Sequence, residues 1–215
     1  MELEKKDFIL LIMNCVKYRY KAELQKEGWL KTIPTFIHYY HVLGDPTLSV
    51  DFHFDEEERI LWVKTKDDYN SLPYKVISAY TAVHQTFKYK YIFKTDDDQM
   101  LKKTLFFNTF TKLLLSKVES IHYGGFIVDV PREHISTYNL IHEELPNNLL
   151  IKKIKYCNGR FYFLSNNAVT YLVTRKKDFL NEYLEDYAVG LYLENTPFKK
   201  DILFFNTRQI FDDST

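Results

Sequence analysis

Three consecutive carboxylates, Asp96-Asp97-Asp98, follow directly on the apolar run Tyr91-Ile92-Phe93. Adjacent like charges repel, and they ionise together at neutral pH most readily where a cation or hydrogen-bond donors offset the repulsion. A hard divalent cation such as Mn²⁺ or Mg²⁺ takes oxygen ligands and usually keeps positions open for substrate phosphates. A strand that ends in Asp-x-Asp is therefore a candidate metal and diphosphate site, the alternative being a plain turn, where Asp is also common.

The elements around the triplet give it a place. Phe8 to Met13 is a continuous apolar run, as expected of a strand covered on both faces in a parallel sheet. Helix formers from Tyr18 to Lys31, with Tyr20, Leu24 and Leu30 on one side, predict a helix that stops before Pro34. A strand over Thr35 to Val42, a short strand over Ile60 to Val63 and a helix opened by Pro73 follow. The next strand carries Tyr91 to Phe93 into the carboxylates. This rhythm predicts an open α/β sheet, whose ligand crevice lies outside the carboxyl ends of its strands. Beyond the triplet the pattern predicts a helix over Leu105 to Val118, a strand over Tyr123 to Val128 and an irregular stretch from Pro131 to Lys155. A strand over Phe161 to Ser165 and a helix over Asn166 to Arg175 come last, before a partly ordered tail from Phe204.

Composition excludes several classes. With 29 basic and 29 acidic residues, the formal charge is zero, which disfavours nucleic-acid binding by counterion release. Cys15 and Cys157 are the only cysteines, so there is no disulfide framework or paired-cysteine zinc site, and a reducing, cytoplasmic compartment is expected. For a protein of viral origin that would be the host cytoplasm. The apolar run after the charged first residues is too short for a signal peptide or membrane span. The aromatic share of 17% is high and is expected mostly in the core. At 215 residues one compact domain over 1–215 is the expectation.

Three patterns then fall in order: Lys94-Thr95-Asp96-Asp97-Asp98, Tyr156-Cys157-Asn158-Gly159-Arg160-Phe161-Tyr162-Phe163-Leu164-Ser165, and Glu185-Asp186-Tyr187-Ala188-Val189-Gly190. The series resembles the β1,3-galactosyltransferase-like enzymes of glycosyltransferase family 31 and the related Fringe-type enzymes. Asp68 to Lys75, and Gly125 with Pro131-Arg132, are weaker matches, and the similarity spans roughly residues 60 to 195. The resemblance implies a GT-A fold, with a mixed, mostly parallel central sheet flanked by helices. It also implies inverting transfer of a hexose or N-acetylhexosamine from a UDP-sugar to a glycan acceptor, with Mn²⁺ or Mg²⁺.

On that resemblance Asp98, with Asp96, is the metal ligand, and Asp96 and Asp97 orient the ribose or metal-bound water. N-capping a following helix is the alternative for these two. Asp68 and Lys75 fall in the nucleotide-binding segment. Asp186 matches the family's base, which takes the acceptor proton opposite the leaving diphosphate. Glu185 binds acceptor or anchors its loop, unless the pair is a plain solvated helix start. Gly159 permits close approach to substrate or is a turn glycine. Tyr162 and Ser165 read as structural.

The sequence also departs from the family. All seven His lie at or before position 142, where family members commonly place a later His on the metal. Asn206, Asp201 or water is the expected substitute, or the metal binds weakly until the nucleotide supplies oxygens. Arg160 replaces a usually small residue, so it narrows the sugar pocket or adds a phosphate contact. Without membrane anchor or paired cysteines, the chain resembles minimal catalytic domains of microbial or large-virus protein or capsid glycosylation enzymes, either whole or cut from a longer multidomain protein. A retaining GT-A transferase and a non-catalytic sugar-binding domain of the same fold remain the alternatives.

Overall fold

The computed structural model describes residues 3–117 and 119–213. Eight strands form one sheet: β1 (Phe8–Met13), β2 (Ile37–Gly44), β3 (Phe52–Asp55), β4 (Ile60–Val63), β5 (Tyr91–Asp96), β6 (Tyr123–Val130), β7 (Ile154–Ser165) and β8 (Leu203–Phe204). Their spatial order is β8-β6-β7-β5-β1-β2-β4-β3. β5, β1, β2 and β4 run parallel, while β7 runs antiparallel to both of its neighbours, β5 and β6. β1 is central, and all six of its residues are buried because both faces are covered.

Alternation along β1 splits the core. Ile9, Leu11 and Met13 face a layer built by α2 (Leu72–Thr86), α4 (Asn166–Thr174) and α5 (Glu185–Tyr192). Phe8, Leu10 and Ile12 face an aromatic layer with Trp29, Phe107, Phe161 and Phe211, to which α3 (Phe106–Ser116) contributes. The sheet flanked by helices is the expected mixed α/β architecture. Pro73 sits in the first turn of α2, where its missing N–H costs nothing. Ser165 caps α4 by accepting from the Ala168 amide at 3.3 Å, and Tyr162 is fully buried, so both are structural as expected.

Three expectations need correction. The first helix is shorter, α1 (Arg19–Glu27), and is followed by a 3-10 turn over Trp29–Thr32. Its Tyr20 and Leu24 face solvent, while Ala22 and Gln25 are the buried residues, because the Gln25 amide bonds the Gln99 carbonyl at 2.8 Å. β7 begins at Ile154, within the stretch expected to be irregular. Finally, no helix follows Asp96-Asp97-Asp98: a two-residue turn leads into a strand over Gln99–Leu101, which removes the N-capping alternative. The expected end of α3 at Val118, and Ser214 and Thr215 of the tail, lie outside the described residues.

The parallel strands end at one edge, at Met13, Gly44, Val63 and Asp96. β7 crosses that edge at mid-strand, where Phe161 pairs with Thr95. The residues just before Phe161 therefore project beyond the sheet. Pairing with β6 shifts register between Cys157 and Tyr162, which frees Asn158, Gly159 and Arg160 from that ladder. Among the described residues, no helix is long and apolar enough to cross a membrane.

Candidate active site

A cavity of about 790 Å³ lies at the carboxyl edge. All nine residues singled out from the sequence line it: Asp68, Lys75, Asp96, Asp97, Asp98, Gly159, Arg160, Glu185 and Asp186. They arrive from the end of β5 and the turn after it, the loop before α2 and its first turns, the projecting part of β7 and the start of α5.

Lys94 is the hub, although its type alone marked it only as part of a motif. It is fully buried, and its Nζ donates to Asp96 Oδ1 at 2.6 Å and to the Gly159 carbonyl at 3.0 Å, and pairs with Glu185 Oε1 at 2.9 Å. Burial disfavours its charge, but the two carboxylates outweigh burial and hold its pKa above the ordinary lysine value. Glu185 is pushed up to about 7 by burial, which Lys94 only partly offsets. Its Oε1 also accepts from Tyr162 Oη at 3.3 Å, and Tyr162 shares a hydrogen bond of 2.6 Å with Tyr80. Glu185 is thus built into the core of the site and is no solvated helix start.

Asp186 lies beside it. Its Oδ2 accepts from the Gly159 amide at 2.9 Å and its Oδ1 from the Tyr187 amide at 2.7 Å. Burial raises its pKa, against the pull of Lys94 and these amides. Gly159 is a strand residue and has no positive φ, so its small size serves close approach. A Cβ there would lie 3.1 Å from Lys94 Nζ, 3.4 Å from Asp96 Oδ2 and 3.7 Å from Asp186 Oδ2.

Burial raises the Asp96 pKa, and burial pushes Asp97 to about 6 despite Lys21 at 3.5 Å. Asp98 Oδ1 accepts from Gln99 Nε2 at 2.8 Å. Arg160 turns its guanidinium to Gln99 and Asp213.

At the other end of the cavity, sequence reasoning chose Asp68, but its neighbour Asp67 makes the tighter contacts. Asp67 Oδ1 accepts from Lys75 Nζ at 2.8 Å and from the Gly44 amide at 2.9 Å, and Oδ2 accepts from the Val16 amide at 2.7 Å. Lys75 also donates to the Asn14 carbonyl at 2.6 Å. Asp68 is exposed at the rim, accepting from the Ser71 amide at 2.8 Å. Two adjacent Asp residues are alike in type and spacing, so only the fold tells them apart. Tyr69, within the Asp68–Lys75 segment, and His142, which no motif signalled, stack at 4.0 Å and form a wall. Neither Asn206 nor Asp201, the expected substitutes for a late His, lines the cavity, and Asn206 instead caps the amide of Arg208 at 3.1 Å.

The lining carries eight carboxyl groups against four cationic side chains, all hard oxygen donors on the acidic side. This set fits a divalent cation of the Mn²⁺ or Mg²⁺ kind, although no group of three acidic, His or Cys side chains is already gathered as a metal cage among the described residues. Such ions are commonly completed by water and substrate phosphates.

The sequence matches the galactosyltransferase family model over residues 26–202. The chain belongs to the galactosyltransferase family of glycosyltransferases. The family match begins at Lys26, well before the motifs at 60 to 195 that first signalled it. Among solved structures, GlyE of Streptococcus pneumoniae TIGR4 is similar at 11% identity and a TM-score of 0.47, over 96% of this chain and 46% of GlyE. The galactosyltransferase LgtC, solved with donor and acceptor sugar analogues, is similar at 13% identity and a TM-score of 0.47, over 93% of this chain and 74% of LgtC. A glycosyltransferase involved in glycosylation of the major capsid of PBCV-1 is similar at 12% identity and a TM-score of 0.47, over 93% of this chain and 81% of that one. This family member therefore spans under half the length of GlyE. None of the curated proteins matches the chain.

Proposed function

We propose that the chain is a metal-dependent, inverting transferase that moves a hexose or N-acetylhexosamine from a UDP-sugar to a glycan hydroxyl. One observation carries the reading: the Asp96–Asp98 turn and Asp186 line one cavity, with Asp96 and Asp186 both close to Gly159, where carboxyl groups outnumber cations two to one. A diphosphate entering such a field is repelled unless a cation comes with it.

In this reading Asp98 and Asp96 hold Mn²⁺ or Mg²⁺, and Asp97 orients the ribose or metal-bound water. When bound, the ion neutralises the diphosphate as it leaves. The end of the cavity at Asp68, Lys75 and Asp67 takes the nucleotide. Asp186 accepts the proton of the acceptor hydroxyl while that oxygen bonds to the anomeric carbon, and the bond from that carbon to the phosphate oxygen breaks, releasing UDP. Burial raises the Asp186 pKa, which makes its carboxylate a stronger base. Lys94 and the Gly159 amide fix where that carboxylate points. Glu185 anchors the loop and lies against the acceptor.

The test is calorimetric titration of UDP with Mn²⁺ and with EDTA, on the parent, Asp98→Asn and Asp186→Asn. Asp98→Asn is expected to lose metal-dependent UDP binding, and Asp186→Asn to keep it while losing transfer. Parental transfer by Asp186→Asn would remove the base assignment, and a product that retains the donor's anomeric configuration by NMR would remove the inverting mechanism.

A further inference from the structure

The last described strand, Phe211–Asp213, pairs antiparallel with Gln99–Leu101, so that Asp213 lies opposite the residue that follows Asp98. Phe211 anchors it, stacked on Phe161 at 5.0 Å and edge-on to Trp29 at 6.3 Å. The pairing closes a ring of polar side chains. Gln99 is buried, and its Nε2 donates to Asp98 Oδ1 at 2.8 Å and to Asp213 Oδ1 at 2.9 Å. Its Oε1 accepts from Arg160 Nη1 at 2.9 Å, and Arg160 Nη2 donates to Asp213 Oδ2 at 2.7 Å. Both amide hydrogens and the amide oxygen of Gln99 are used. The ring also fixes which way the amide faces, since turning it over would set its oxygen against two carboxylates and its NH₂ against a guanidinium.

We propose that Asp213 is a positioning residue for transfer: it neutralises Arg160 and holds Gln99, so that Asp98 offers its carboxylate to the cavity in one orientation. Arg160 is largely buried, with its side chain 17% exposed. Without Asp213 the guanidinium loses its carboxylate partner, and Asp98 is the acid still joined to it through Gln99. Arg–carboxylate pairing is strong and directional, so Asp98 would be drawn to Arg160 and away from a bound cation. The sequence departure at Arg160 thereby acquires a role: with Asp213 it sets the Asp98 turn.

This inference rests on reading Asp98 as a ligand of the cation and diphosphate. The experiment uses the full chain and two readouts, Mn²⁺ titration followed by electron paramagnetic resonance, and calorimetry of UDP at fixed Mn²⁺. Asp213→Asn is expected to weaken both by about tenfold, the lower end of the effect of partners of metal ligands. Asp212→Asn is the control, because Asp212 sits on the same strand but pairs outside the ring with Lys102 at 2.8 Å. It is expected to bind as the parent does, and Asp213→Glu to recover part of the loss. Parental affinity in Asp213→Asn, with Asp98→Asn inactive in binding, overturns the inference and leaves the transferase reading standing. Equal losses in Asp212→Asn and Asp213→Asn also overturn it, by reducing the strand to a structural support. If the parent binds UDP no better with Mn²⁺ than with EDTA, the transferase reading fails and the inference falls with it.

Discussion

Lys6 and Lys94 are both almost wholly buried, at 3% and 1% exposure, and they lie at opposite ends of the sheet. Lys6 stands before β1, where its Nζ donates to Tyr40 Oη at 2.6 Å and Glu56 Oε1 at 3.0 Å and sits 4.1 Å from the centroid of the Phe87 ring. Glu56 is half exposed, so the pair stays in contact with water. Lys94 meets Asp96 and Glu185, of which Glu185 is itself buried, and Glu185 Oε2 has no hydrogen-bond partner among the described residues. One end of the molecule buries a cation with a solvated partner and an aromatic face. The other concentrates carboxylates whose ionisation the fold opposes, which is how sites that bind and react are commonly built.

The sharpest way to break this contrast is Lys94→Met. It leaves Asp96 and Glu185 without their ammonium, and a cost of about 3–5 kcal/mol is expected, together with loss of transfer. Urea denaturation at two pH values checks it. A carboxylate with a raised folded pKa destabilises as pH climbs from its unfolded value of 4.5 through about 7, where the fold must hold the charge. Losing Lys94 raises that pKa further, so the cost in the variant is expected to be larger at pH 8 than at pH 5.

Gly159→Ala comes next. Its Cβ crowds Lys94 Nζ at 3.1 Å, and that ammonium is held by three partners and has little room to yield. A loss of about 1–3 kcal/mol is expected, with transfer reduced more than stability, as read by thermal melting beside a transfer assay. Lys6→Met is the counterpart at the quiet end. About 1–1.5 kcal/mol is expected from the lost hydrogen bonds, with transfer unchanged. A fall in transfer matching that of Lys94→Met would erase the contrast.

The smallest effect is expected at His41, fully buried on β2, with neither ring nitrogen partnered among the described residues. Burial, helped by Lys26, holds its pKa down to about 3 from 6.5. A depressed histidine contributes stability above pH 6.5 that is lost as pH falls toward 3. His41→Leu is expected to change stability at pH 7 by about 1 kcal/mol or less, and to flatten the decline between those pH values. An unchanged acid limb in denaturation curves would count against the assignment.

Much of this was legible in the residues. The apolar run of β1 and the strand into Asp96 could be read because burial on two faces leaves no polar positions, and Pro73 marked the start of α2. The nine site residues came from ordered motifs, and the fold brings them to one cavity. What escaped was set by long-range pairing. The start of β7 escapes because Ile154 to Cys157 are held by pairing with Val130 to Ile127, a ladder the local residue pattern does not signal, and the strand then slips register before Tyr162. The exposed face of α1 escapes the residue pattern because its buried side is marked by a glutamine that bonds a carbonyl, which carries no hydrophobic signal. Asp67 and Asp213 differ from other acids only in what the fold places beside them.

Lys94 and Glu185 lie far apart along the chain, and β7, which carries the Gly159 carbonyl, falls between them in sequence. During synthesis the ammonium therefore emerges long before the carboxylate that accompanies it in the folded state. Until α5 docks, Asp96, two residues on, is the one of its two carboxylate partners within reach of that charge. The charge that organises the cavity also ties two segments far apart in sequence, the end of β5 and the start of α5, into one non-local contact, which favours slow closure.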